Sequence, residues 1–174
     1  MGRDEFLMGI ESGEYVSREK CIFKCSFSSP DLCGENVYKI ILNSNSSNEE
    51  GVSCYLCHQD TVGGDHIVET QRAVSLEYVK HFLEILYVYS KNWLSSYIDF
   101  STGDGVNFSL VCSAIGLRVY MSNAGPVNFK SFLRFLYTVF VRDASFKEMD
   151  RYLCTARQNQ NGDMICYESL WTGV

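Results

Sequence analysis

VSLEYVKHFLEILYVYSKNWLSSYI, residues 74–98, is the stretch on which the fold turns. Apolar side chains stand at 74, 76, 78, 79, 82, 83, 85–89, 93, 94, 97 and 98, a spacing that returns every three to four residues and so predicts a helix. Between Val79 and Val88 the turns are apolar nearly all round, a pattern that suits a helix enclosed by other elements. Ser75 stands in front as an N-cap, whose hydroxyl can accept from a backbone N–H of the first turn. The stretch therefore predicts a long buried central helix over 75–98.

Toward the N-terminus the period changes from that of a helix to that of a strand. Cys21, Phe23, Cys25 and Phe27 alternate with Ile22, Lys24 and Ser26, as a half-buried strand requires. Ser28, Ser29, Pro30 and Asp31 form a turn cluster, and 37–42 is an apolar, β-branched run that predicts a second strand. The polar tract 43–51 reads as a hairpin loop before strand character resumes over 52–57. This part predicts an antiparallel meander over about 20–58. Residues 59–72, with Gly63 and Gly64 among them, read as a surface loop leading to the helix.

Toward the C-terminus the turn-rich 101–105 ends the helical pattern. Val106, Phe108, Leu110 and Cys112, then Leu117, Val119 and Met121, alternate with polar positions and predict a hairpin over 106–122. Gly125-Pro126 opens an apolar run read as a helix over 126–142, proline being tolerated at the first helical position. Ser145 followed by Glu148 is a capping box for a helix over 146–157. Asn161-Gly162 is a hairpin signal preceding a closing strand at 164–170. Strands, helix, strands, two helices and a strand predict α+β architecture in a single domain over 1–174. In it a small antiparallel sheet packs against the central helix and two C-terminal helices.

Composition narrows the function. The 174 residues are 46% hydrophobic and 21% charged with two prolines, which suits one folded domain and excludes a disordered or collagen-like chain. Lys and Arg number 15 against 21 Asp and Glu, and a net charge of -6 argues against nucleic acid as a partner. No apolar run is long enough to predict a membrane span, and the acidic start Met1-Gly2-Arg3-Asp4-Glu5-Phe6 is unlike a signal peptide. A cytoplasmic location with reduced cysteines follows; secretion would require a leading segment that this sequence does not contain.

Metal chemistry would draw on Cys54, Cys57, His58 and His66, with Cys21, Cys25 and Cys33 upstream. A Cys-x-x-Cys pair in a turn can aim two thiolates at one Zn2+ and leave a further pair to complete the tetrahedron. The strand reading competes with it, because residues three apart on a strand face opposite sides. A cysteine nucleophile would need His58, His66 or His81, and His58 beside Cys57 faces the other way. Glu49-Glu50 reads as solvated loop, and no glycine-rich phosphate loop occurs. No catalytic residue or organic cofactor is expected.

Aromatic content points elsewhere. Of eleven Tyr, eleven Phe and two Trp, Tyr78, Tyr87, Tyr89, Trp93, Phe132, Phe135 and Tyr137 fall on the two longest apolar stretches, and such rings dominate protein interfaces. Tyr87, Trp93, Tyr97, Phe132 and Tyr137 are the candidate interface residues, meeting another protein or a second copy of this chain. The terminal Thr172-Gly173-Val174 has the form that PDZ domains capture, through Thr172 and the carboxylate of Val174. The leading expectation is a non-enzymatic intracellular protein-interaction or regulatory domain, of the accessory type that viruses direct at host proteins. The alternatives are a zinc-stabilised regulatory domain, a cysteine hydrolase and a secreted disulfide-bonded binding domain.

Overall fold

Burial on one side only is what gives most strands of this chain their alternation. A computed structural model of the chain describes residues 18–29, 35–44, 51–62, 66–99, 105–158 and 164–166. Four strands come first: β1 (Arg18–Ser28), β2 (Glu35–Ser44), β3 (Val52–Val62) and β4 (His66–Val74). Helix α1 (Leu76–Ser90) follows, then β5 (Ser96–Ile98), β6 (Asn107–Cys112), β7 (Leu117–Ser122) and β8 (Ala124–Pro126). Helices α2 (Phe129–Phe140) and α3 (Phe146–Gln158) and strand β9 (Met164–Cys166) complete the order. Seven strands form one sheet in the order β4-β3-β2-β1-β6-β7-β5, antiparallel throughout except where β5 runs parallel to β7. β8 and β9 pair separately.

The sheet is one layer and the helices are the other. Phe23, Cys25, Ile40, Cys54, Leu56, Phe108, Leu110 and Val119 share one face of the strands and belong to the same buried cluster as the helical residues Phe82, Leu83, Leu86, Phe132, Leu136 and Met149. Ring contacts run through it: Phe82 meets Phe23 edge-on at 5.2 Å and stacks on Phe135 at 5.2 Å, while Phe108 meets Phe129 at 4.9 Å. Such pairs add to the stabilisation from burying their area. One extra residue, Ile22, interrupts the β1–β2 register between Cys21 and Phe23, and its side chain is buried too. The bulge lets Cys21 face outward while Phe23 faces the helices.

The α+β expectation holds, with corrections. The central helix stops at Ser90, and Tyr97 of the predicted helix lies in β5 instead. Nor is it enclosed all round, because Glu77, Glu84 and Tyr87 lie on a solvent stripe. Of residues 59–72, expected as a loop, 59–62 form the end of β3 and 66–72 most of β4, so the sheet is larger than the meander suggested, while 63–65 lie outside the described residues. Gly125-Pro126 lies in β8, and the helix starts at Phe129. Both predicted caps form: Ser75 Oγ accepts from Tyr78 N at 3.1 Å and Ser145 Oγ from Glu148 N at 3.2 Å. Of the predicted closing strand, Met164–Cys166 is present, and 167–170, like Asn161-Gly162, lie outside the described residues. Among the described residues no helix is long and apolar enough to cross a membrane.

Candidate interaction surface

With the three described helices on one face, the other face of the seven-stranded sheet is formed, among the described residues, by those that alternate with the core. Register defines its rows. Ser26 of β1 lies opposite Val37 of β2, which continues to Gln59 and Glu69, while on its other side Ser26 meets Ser109, followed by Tyr120 and Ser96. The next row runs Gln71, Cys57, Lys39, Lys24, Val111, Arg118. A third holds Ala73, Tyr55, Ile41 and Cys21. Four large apolar side chains on this face stand in solvent: Ile67 at 57%, Ile98 at 39%, Val111 at 43% and Tyr120 at 46% exposure. Val111 and Tyr120 are diagonal neighbours across β6 and β7, close enough to form one patch.

Two shallow hollows mark this face. One, with a volume of about 80 Å³, lies between β1, β6 and β7, lined by Ser26, Ser28, Glu35, Asn107, Ser109 and Tyr120. The other is a crease beside Cys57, between Lys39, Gln59 and Glu69, too tight to admit a water. Burial is the largest cause raising the Cys57 pKa, nearby Glu69 adds to it, and Lys39 works against both. A thiol held protonated in this way is a poor nucleophile.

No family model, curated protein or solved structure matches the chain.

The structure separates the residues grouped by sequence as metal ligands. Cys54 is buried with the core on the helical side of β3, Cys57 lies on the opposite face, and His58 returns to the helical side. These three do not converge on a point. His66 pairs with Val62 through the β3–β4 register, its side chain being outside the described residues, and among the described residues no three His, Cys, Asp or Glu side chains gather. Cys21, Cys25, Cys57, Cys112 and Cys154 are free thiols. Burial, the dominant cause, pushes Cys112 up to about 11 despite hydrogen bonds from the backbone at Ile115 and Ala114. Cys25 is raised further for the same reason. Neither favours a thiol hydrolase.

His58 serves structure. Its ring stacks on Tyr38 at 4.8 Å and its Nε2 donates to Asn36 Oδ1 at 3.0 Å. Burial holds its pKa below the ordinary value near 6.5, with Asp60 opposing that shift. A neutral imidazole in the fold and a protonatable one in the unfolded chain mean that the unfolded state takes up protons first as the pH falls. Stability is therefore expected to decline as the pH drops through about 6.5 toward the lower folded value. The urea midpoint of His58→Gln should fall less over that window than that of the parent; equal slopes would show that His58 titrates alike in both states.

The aromatic candidates divide. Tyr87 and Tyr137 are exposed at 44% and 45%, on the helical layer. Trp93 is half-buried, packing edge-on against Phe132 at 5.0 Å. Tyr97 and Phe132 are wholly buried and belong to the core, so neither reaches a surface of the monomer. Long apolar runs mark helices that pack, and their largest rings turn inward because they bury the most area. Thr172 and Val174 lie outside the described residues. Lys24, Lys39, Val111, Arg118 and Tyr120 were missed by sequence reasoning. Their positions as the non-core half of each alternating strand were legible, but their assembly into one face depends on register.

Proposed function

We propose that this protein is a non-enzymatic, cytoplasmic binding domain that receives a partner protein on the face of its sheet opposite the described helices. The observation carrying the reading is the patch around Val111 and Tyr120, two exposed side chains diagonal to each other on a sheet face that none of the described helices covers. Exposed apolar groups that adjoin one another mark contact surfaces more than scattered ones do. The raised thiols and the dispersed histidines support binding over catalysis. A protein partner would seal the patch from water and use the surrounding hydroxyls of Ser26, Ser109 and Tyr120 as a polar rim.

The test is affinity capture with the full chain, followed by binding measurements on the protein retained. Val111→Asp and Tyr120→Ala are expected to weaken that binding, each by about 2 kcal/mol or more if the residue is an anchor. Tyr87→Ala and Tyr137→Ala, on the helical layer, should leave it unchanged. The reverse outcome would move the surface to the helices, and sedimentation across a concentration series identifies the case in which the partner is a second copy.

A further inference from the structure

The same face carries a charge pattern that works against the fold. Lys24 and Lys39 lie directly opposite each other on β1 and β2, two interior strands, and Arg118 lies two strands further along the same row beyond Val111. Like charges directly opposed across strands destabilise a sheet. Neutralisation by acidic neighbours would remove that cost, yet among the described residues none of the three forms an ion pair with a carboxylate. Lys24 and Arg118 are exposed and Lys39 is half-buried. In a chain of net charge -6, a central row of three cations that form no ion pair among the described residues is a local reversal of sign.

We infer that the partner presents an extended acidic peptide segment, whose carboxylates lie along the Lys39–Lys24–Arg118 row. This deepens the protein-binding reading and rests on it. Strands are about 4.8 Å apart, so the row spans roughly 14 Å, the reach of four to five extended residues whose same-side positions recur every ~6.7 Å. Two carboxylates four positions apart in such a segment would meet the lysine pair and Arg118, and an apolar residue midway between them, on the same side, would rest on Val111. Ser26 and Ser109, opposite each other in the adjoining row, offer hydroxyl donors to the same oxygens. The molecule's overall negative charge disfavours a long polyanion such as nucleic acid, because charge beyond the row meets repulsion, whereas a short acidic segment ends where the cations do.

The experiment is fluorescence anisotropy on the full chain with labelled peptides of about ten residues, long enough to exceed the row. The probe repeats Glu-Ser-Val-Ser, which puts Glu and Val in turn on one side; the comparisons carry Gln or Lys in place of Glu, and a single-stranded oligothymidine is a fourth ligand. The Glu peptide should bind tightest and lose affinity as salt rises. Lys24→Gln and Arg118→Gln should each weaken it about two- to fivefold, and together by about the product. Lys24→Gln should at the same time hold or raise the urea midpoint, since it relieves the opposed pair, so lost binding cannot be lost folding. Equal affinity for the Glu and Gln peptides, or a double variant that binds like the parent, overturns the inference. Tighter binding of the oligonucleotide through the same residues overturns it in favour of nucleic acid. A captured protein that depends on Val111 but not on Lys24 would leave the protein-binding reading standing and this inference refuted.

Discussion

Leu86→Ala is expected to lower stability by about 2 to 5 kcal/mol, read as a fall in the urea midpoint without loss of the native state at low denaturant. Leu86 and its neighbours Phe82, Leu83 and Ile85 have no exposed surface. Its removal costs the transfer free energy of the deleted carbons and opens a cavity between α1 and the sheet. How much of that cavity collapses decides where in the range the value falls. Phe82, one turn away, is fixed by Phe23, Phe135 and Phe140 at once, and rings locked on several sides relax little. The upper half of the range is therefore expected, with Leu83→Ala similar. Glu84→Ala, on the exposed stripe of the same helix, should stay within about 0.5 kcal/mol of the parent. A negligible shift at Leu86 would mean that α1 is not the element the sheet packs against.

The elements legible in the sequence are those buried on one side only. β1, β2, β3, β6 and β7 wrote their period of two because one face meets helices and the other meets water, and α2 and α3 are amphipathic for the same reason. β4 was missed because it is an edge strand. From Ile67 to Gln71 its side chains are exposed on both faces, so HIVETQRAV carries no alternation to read. The end of α1 was missed for the opposite reason. Trp93 and Tyr97 are apolar and packed, but Trp93 sits in the turn after the helix, its N–H bonded to Ser90 O at 3.0 Å, and Tyr97 is held in β5. Burial continued while the backbone changed, and composition reports only burial. The candidate surface was legible in its parts. Lys24 was readable as an outward residue, but that it opposes Lys39 is a consequence of the Ile22 bulge and the β1–β2 register, neither of which any single strand encodes.

Asn128 had no sequence signal at all, and its replacement carries the second large expected effect. It is buried to 2% exposure just before α2, where a polar side chain is costly unless satisfied. Its Nδ2 donates to Tyr89 O at 3.0 Å and its Oδ1 accepts from Trp93 Nε1 at 2.8 Å, while its carbonyl takes Phe132 N at 3.0 Å as the first bond of the helix. One side chain thus joins the last turn of α1, the following turn and the start of α2. The Tyr89 carbonyl depends on it, because Trp93 N, four residues on, turns instead to Ser90 O. Asn128→Ala leaves the Tyr89 carbonyl and the half-buried indole N–H of Trp93 without this partner, at up to about 1 to 3 kcal/mol each, the indole toward the lower end. A total loss in the lower half of about 2 to 6 kcal/mol is expected, seen in the urea midpoint together with a change in tryptophan emission. Trp93→Phe separates the two contributions: with Asn128 present it strands Oδ1, and in the Asn128→Ala background it removes a donor that had already lost its partner. The second substitution should therefore cost less in the variant than in the parent, giving a coupling of about 0.5 to 3 kcal/mol. Strict additivity would mean that the indole is held by its edge-on contact with Phe132 alone, and that the α1–α2 junction is assembled by ring packing rather than by this polar clasp.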